Sequence, residues 1–187
     1  LPYSEKEVRA IHKLFVNNSL PSRVFLHEEA TEEQLKTTSE KSSVIHIATH
    51  GISSYENPEL SGLFFQSQEN PQDITNDGFM FVGEIYMLNL DADLVVLSAC
   101  KSGAGKINAG EGVMALPRPF IFIDVPNMAA SLWKIHDEKT QMLMTDFYKA
   151  MIENGQDYAQ ALQSAKLKSI RRGELPKDWA ALILIGR

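Results

Sequence analysis

Apolar and polar positions along the chain follow two periods, one typical of strands and one of helices. Segments 44–48 and 94–97 are apolar at successive positions apart from His46, which is typical of strands buried on both faces. Apolar residues then recur at helical spacing in segments 138–152 and 157–170. Repeated strand and helix units with buried strands predict an α/β fold, a three-layer α/β/α sandwich around a mainly parallel central sheet.

Shorter segments complete this pattern. Four of them predict a hairpin and two further strands: 63–66 with 79–81, 127–132, and 180–185. An apolar helix is expected over 113–122, but Pro117 and Pro119 should break or kink it, because proline lacks the backbone N–H that a helix interior needs.

Length and composition are those of a soluble globular domain. The 187 residues are 44% apolar and 22% charged, and at about 150 residues per domain they predict one domain over residues 1–187. The chain does not begin with methionine, so we expect it to be a piece of a longer protein. Its longest apolar run, 179–185, is far shorter than the roughly 20 residues that span a membrane.

Charge and cysteine content exclude further classes of protein. The net charge of −6 does not favour binding to nucleic acid, whose phosphates attract basic surfaces. We interpret the basic residues near the end of the chain as a solvated helix face: Lys166, Lys168, Arg171, Arg172 and Lys177. A single cysteine, Cys100, cannot form a disulfide within the chain, which favours a reducing, cytoplasmic location.

Two residues with useful chemistry follow the buried strands. His50 and Cys100 each stand within three positions of the end of a predicted strand, where open α/β sheets bind ligands. If the strands are neighbours, a thiolate nucleophile and an imidazole acid/base would face each other. Gly51 would let its backbone N–H approach a substrate oxygen. The alternatives are that Cys100 is a small buried apolar residue and that His50 belongs to a turn.

Metal and phosphate sites are not expected. His46 and His50 have the spacing of metal ligands on a helix, but on a strand and a turn that spacing does not converge on an ion. The glycine-rich segment 103–106 lacks the glycine and the hydroxyl residue that a phosphate-binding loop requires. We therefore expect no metal and no cofactor.

Five ordered segments point to a known family. They are VIHIATHG at 44–51, LVVLSACKSGAGK at 94–106, GEGVMAL at 110–116, ASLWKIHDEKT at 130–140 and WAALILIG at 179–186. Together they resemble the CHAT domain, a caspase-like cysteine peptidase domain commonly found behind tetratricopeptide repeats. The resemblance covers almost the whole chain and rests on the order of all five segments.

The resemblance implies a caspase-like sheet with His50 and Cys100 as a catalytic dyad. It implies an oxyanion hole formed by the backbone N–H groups of Gly51 and Cys100. The residues that it implies in substrate binding are Ser98, Trp133 and Asp137, with Trp133 lining the cleft and Asp137 in the pocket for the residue before the scissile bond. Asp137 is equally well explained as the N-cap of a helix that begins at Glu138.

We therefore interpret the chain as a cysteine endopeptidase that cleaves proteins or peptides through a thioester acyl-enzyme. The resemblance implies regulation by tetratricopeptide-type repeats or a partner protein. The net charge and the short apolar runs predict no direct contact with nucleic acid or membrane. Two alternatives stay open. One is a catalytically silent or latent signalling or scaffold module, favoured by the unusual segment 117–126. The other is a thiol hydrolase or amidase acting on small molecules.

Overall fold

A computed structural model of the chain describes residues 3–54, 56–67, 75–98, 100–101, 116–133 and 135–186. The helices in these ranges are α1 (Ser4–Asn17), α2 (Glu32–Thr38), α3 (Val82–Ile85), α4 (Pro117–Phe122), α5 (Asp137–Asn154), α6 (Tyr158–Arg171) and α7 (Pro176–Trp179). The strands are β1 (Val44–Ile47), β2 (His50–Ile52), β3 (Gly62–Phe64), β4 (Phe79–Phe81), β5 (Leu94–Leu97), β6 (Cys100–Lys101), β7 (Asn127–Ser131) and β8 (Leu182–Gly186). Within the described ranges, no helix combines the length and the apolar character needed to cross a membrane.

The chain divides into two compact units, residues 1–24 with 134–184 and residues 25–133 with 185–187. In the first unit, α5 packs against α1, α6 and α7. The buried Tyr148 ring of α5 contacts Phe15 and Phe147, with ring centroids 6.0 and 5.3 Å apart. Burial raises the pKa of Tyr148 well above its usual range, and the nearby groups of Glu7 and Tyr158 raise it further. Tyr148 is therefore a neutral core residue of this unit.

Ion pairs join α5, α6 and the turn that follows α6. Asp146 accepts hydrogen bonds from Lys168 at 3.2 Å and Arg172 at 2.6 Å, and Glu174 accepts from Arg172 at 3.1 Å and Lys139 at 3.2 Å. Burial alone would raise the pKa of Glu174, but the hydrogen bonds that it accepts lower it below its usual value. Two of the basic residues predicted to form a solvated face therefore pair with carboxylates.

The described strands form two four-stranded sheets. The first sheet has the order β1-β5-β7-β8 and the second has the order β4-β3-β2-β6. In the first sheet, β5 pairs in parallel with both β1 and β7. In the second sheet, β2 pairs in parallel with β6, whereas β3 pairs antiparallel with β2 and β4. The predicted α/β class with a mainly parallel central sheet is confirmed, and it is consistent with a caspase-like fold.

The core of the second unit packs β1, β5 and β7 against the second sheet. Every position of β5 is buried, as its unbroken apolar run predicts. One face of the first sheet packs with Leu63 and Met80 of the second sheet and with side chains of α3 and α4. The buried members of this cluster are Ile45, Ile47, Leu63, Met80, Ile85, Ala92, Val95, Leu97, Phe120, Val125, Met128 and Ala130.

The two prolines of α4 do not interrupt it. The helix begins at Pro117, so Pro117 and Pro119 both lie in its first turn, and Phe120 is fully buried in the core. Backbone N–H groups in a first turn have no partner within the helix, and proline therefore costs no hydrogen bond there. The helix runs unbroken from Pro117 to Phe122. The break or kink expected in a longer helix over 113–122 stays a prediction, because residues 113–115 lie outside the described residues.

Candidate functional site

The two candidate catalytic residues are register partners in the second sheet. His50 begins β2, Cys100 begins β6, and the two residues lie opposite each other in a parallel pairing. Neighbouring strands are about 4.8 Å apart, so the register brings these two backbone positions within about one strand spacing. His50 is exposed to solvent.

The register of the first sheet continues into the second. Val44 lies opposite Leu94 in the first sheet, a difference of 50 positions (94 − 44), and His50 and Cys100 differ by the same 50 positions (100 − 50). Both residues lie beyond the buried strands β1 and β5, as expected, but each begins a short strand of its own that was not predicted. Strand pairing ends after Ile47 and begins again at His50. The register is the same on both sides of this gap, since paired residues are 50 positions apart in each sheet.

Two hydrogen bonds lie where the pairing of the first sheet ends and that of the second sheet begins. The backbone N–H of Ser98 donates to the carbonyl of Ile47 at 2.9 Å. The hydroxyl of Thr49 donates to the carbonyl of Phe64 in β3. Ser98 itself is 7% exposed, and its contact with a substrate stays a prediction. These bonds fix where β2 begins and therefore where His50 lies.

Gly51 has a packing reason to be glycine. It is buried in β2, and a Cβ added to it would lie 3.1 Å from Cδ1 of Leu116 and 3.4 Å from Cδ2 of Leu63. Such a contact is tighter than most side chains tolerate, so glycine lets the start of α4 close over this strand. The role of the Gly51 N–H in an oxyanion hole, together with that of Cys100, stays a prediction.

The two other candidate substrate contacts lie after β7. Trp133 is 36% exposed and belongs to the second unit, and Asp137 belongs to the first. Asp137 is the first residue of α5 rather than its N-cap, because the backbone N–H of Thr140 already donates to the carbonyl of His136 at 3.0 Å. The N-cap assignment is therefore wrong by one residue. The roles of Trp133 and Asp137 towards a substrate stay predictions.

Possible metal ligands do not gather in the part of the chain that the structure describes. No group of three or more His, Cys, Asp or Glu side chains there could hold an ion. His46 is half-buried in β1. The glycine-rich segment 103–106 lies outside the described residues.

An exposed apolar surface beside His50 was missed from the sequence. Ile52, Phe64 and Phe81 are 39%, 38% and 38% exposed, and they lie on the second sheet with His50. The sequence carries no periodic signal for it, because Phe79–Phe81 is apolar at every position and its alternation of burial is visible only in the structure.

Comparisons with known proteins give one family match and two similar curated proteins. The family model described as CHAT domain matches residues 1–187. Among curated proteins, the chain is similar to Tetratricopeptide repeat protein 28 of Homo sapiens and of Mus musculus, with 24% and 22% identity over 216 aligned residues. Each alignment takes in the whole chain but only 8% of the relative. The chain therefore spans a small part of the length of these relatives.

Proposed function

The chain belongs to the CHAT domain family, whose fold is caspase-like, and we propose that it is a cysteine endopeptidase with His50 and Cys100 as its catalytic dyad. The observation that carries the proposal is the register that sets His50 opposite Cys100. A thiol and an imidazole on neighbouring strands are the minimum that acyl transfer requires. The exposure of His50 supports access for a substrate.

The proposed reaction has two steps. The thiolate of Cys100 attacks the carbonyl carbon of the scissile bond, the C–N bond breaks, and the His50 imidazolium gives its proton to the leaving amine. Water then attacks the thioester and gives a proton to His50, the C–S bond breaks, and the acid product leaves as the Cys100 thiolate and the His50 imidazolium are restored. The backbone N–H groups of Gly51 and Cys100 would stabilise the oxyanion in both steps.

Partners and location follow from the same proposal. Both relatives are named for their tetratricopeptide repeats, which supports regulation of this chain by such repeats or by a partner protein. We expect residues 1–187 to act as one domain, since a single family model spans them. A cytoplasmic location is expected because Cys100 is the single thiol and would need to stay reduced.

The alternative of a catalytically silent or latent scaffold module rested on the unusual segment 117–126. Pro117 and Pro119 of that segment fit the first turn of α4, so these two prolines do not themselves favour it. Hydrolysis of small molecules would use the same dyad. The exposed apolar surface beside His50 favours a longer substrate, since a small molecule would not reach along it.

Cleavage profiling tests the proposal. The protein in its natural full-length form is incubated with a diverse peptide library, beside Cys100→Ala and His50→Ala, and the products are identified by mass spectrometry. We expect each substitution to lower cleavage at least about 10³-fold, because the nucleophile and its proton carrier act as one unit. His46→Ala is the matched control and should retain cleavage. Unchanged proteolysis in either dyad variant would overturn the assignment.

The same library tests the selectivity expected from Asp137. A carboxylate in the pocket for the residue before the scissile bond would favour Lys or Arg there. Asp137→Ala should then reduce the preference for basic residues by about 10-fold, while cleavage at other sites continues. A cleavage profile that Asp137→Ala leaves unaltered would remove this residue from the site.

A further inference from the structure

The second sheet has one buried face and one exposed face. Along β2, β3 and β4, the middle residues Gly51, Leu63 and Met80 point into the core and are buried. The residues on either side of each middle residue share the opposite face, because side chains alternate along a strand. Those with large apolar side chains are Ile52, Phe64, Phe79 and Phe81, and we call these four the aromatic face.

The three rings of the aromatic face pack against each other. Phe79 contacts Phe64 and Phe81 edge to face, with centroids 4.7 and 4.6 Å apart. A Cβ on Gly62 would lie only 2.7 Å from Cζ of Phe79, so the ring rests directly on the backbone of β3. Packed rings lose little freedom when a ligand covers them, which suits a preformed binding surface.

The aromatic face adjoins His50. His50 shares a strand face with Ile52, and both side chains are exposed. Gly51 lies opposite Leu63 in the antiparallel pairing of β2 and β3, so continuing this register by one residue sets His50 beside Phe64. The exposed imidazole and the aromatic rings therefore belong to one continuous surface.

The strand order shows on which side of His50 the aromatic face lies, away from Cys100. In the order β4-β3-β2-β6, the His50 strand lies between the Cys100 strand and the two strands of the aromatic face. During cysteine-dependent acyl transfer, the acyl part stays on the thiol while the amine part takes its proton from the imidazole. The residues after the scissile bond therefore leave on the side of His50 and run towards β3 and β4.

From this order we propose that the aromatic face is the subsite for apolar side chains that follow the scissile bond. The strands β3 and β4 lie about 5 and 10 Å beyond β2, and an extended peptide advances about 3.3 Å per residue. The first three residues after the bond can therefore reach the rings. This inference rests on the proposed endopeptidase function and adds to it a selectivity on the amine side.

The test compares two kinds of substrate on the full-length protein. One set of peptides has a fixed acyl side and carries either leucine and phenylalanine or serine and aspartate in the three positions after the bond. The other substrate has the same acyl side and a coumarin amide, which has no residue after the bond. We expect kcat/KM to be about 10-fold higher for the apolar peptides than for the polar ones, as apolar pockets typically discriminate.

Variants of the aromatic face separate the possible outcomes. Phe64→Thr and Phe81→Thr should each cut kcat/KM for the apolar peptides several-fold and leave turnover of the coumarin amide unchanged; threonine is used because it favours strands. Phe122→Thr is the matched control, since this ring is 73% exposed on α4 and contacts Tyr86 instead. Equal loss in the control, or loss of coumarin turnover alongside peptide turnover, would overturn the inference.

Failure of the two proposals can be told apart. Turnover of the coumarin amide with no preference after the bond would overturn this subsite and leave the endopeptidase intact. No Cys100-dependent turnover of any substrate would overturn the proposed function and this inference with it. A change of oligomeric state in Phe64→Thr and Phe81→Thr with unchanged selectivity would assign the aromatic face to contacts between copies of the chain, against the proposal.

Discussion

The two sheets of this chain are built partly from the same runs of sequence, yet they differ in what they bury. In the first sheet, β5 is buried at every position. In the second sheet, β2 buries Gly51 between the exposed residues His50 and Ile52. The shift of 50 positions that relates β1 to β5 also relates β2 to β6. The same register therefore occurs in the first sheet, where β5 is buried, and in the second sheet, where β2 has an exposed face.

The difference in burial indicates different roles for the two sheets: the first sheet fixes the register, and the second sheet carries the candidate site. A buried parallel sheet resists shifts of register, because moving a strand by one residue would expose its apolar side chains. The same register, carried past the break at Thr49, sets His50 opposite Cys100 where one face is open. Substitutions on the two faces of the second sheet should therefore affect different properties, stability on one face and turnover on the other.

Neighbouring residues of β3 give the largest expected contrast. Leu63 is fully buried and Phe64 is 38% exposed. Leu63→Ala should lower the free energy of unfolding by about 2–5 kcal/mol, because it leaves a cavity in the core. Phe64→Ala should cost only about 1 kcal/mol, chiefly its contact with the ring of Phe79. Urea denaturation of both variants measures this, and equal losses would contradict a sheet with two unlike faces.

An intermediate effect is expected at Gly51. Gly51→Ala should destabilise by about 1–3 kcal/mol, because its Cβ would crowd Leu116 at 3.1 Å. Shortening the neighbour in the double variant Gly51→Ala with Leu116→Ala should then cost less than the sum of the two single changes. Denaturation of all three variants measures this coupling. Strict additivity would show that Leu116 is not the reason for glycine at this position.

The smallest expected effect concerns the break between the sheets. Thr49→Val removes the hydroxyl that donates to the Phe64 carbonyl and should cost about 0.5–1.5 kcal/mol. It should also lower kcat more than KM changes, since Thr49 positions the start of β2 rather than contacting the substrate. Thr49→Ser keeps the hydroxyl and serves as the control. Loss of kcat in Thr49→Ser as large as in Thr49→Val would rule out the hydrogen bond as the cause.

The local sequence predicted those helices and strands that can be recognised without knowing what they pack against. The apolar run of β5 identified a buried strand. The hairpin of β3 and β4 was predicted from two short apolar segments with a polar stretch between them. The start of α4 at Pro117 was not predicted. Where a helix begins depends on its tertiary contacts as well as on its local sequence, and those contacts cannot be read from the sequence. Such boundaries shift by a residue or more, as they did at Asp137.

The candidate site was predictable only in part for a similar reason. His50 and Cys100 could be singled out because each follows a buried strand in the sequence. That both lie on short strands of their own depends on pairing between residues 50 positions apart. The packing reason for Gly51 depends on Leu116, which is also remote in the chain, 65 positions away (116 − 51). Long-range pairing and packing of this kind leave no periodic pattern in the sequence.

Alkylation of Cys100 tests most directly whether the register makes a working dyad. The full-length protein and its His50→Ala variant are treated with iodoacetamide at neutral pH, and modification of Cys100 is followed by peptide mapping. A free thiol ionises near pH 8.5 and reacts slowly at pH 7, whereas a partnered thiolate reacts fast. We expect fast alkylation that His50→Ala slows by about 10-fold or more. Equally slow alkylation in both proteins would contradict the dyad.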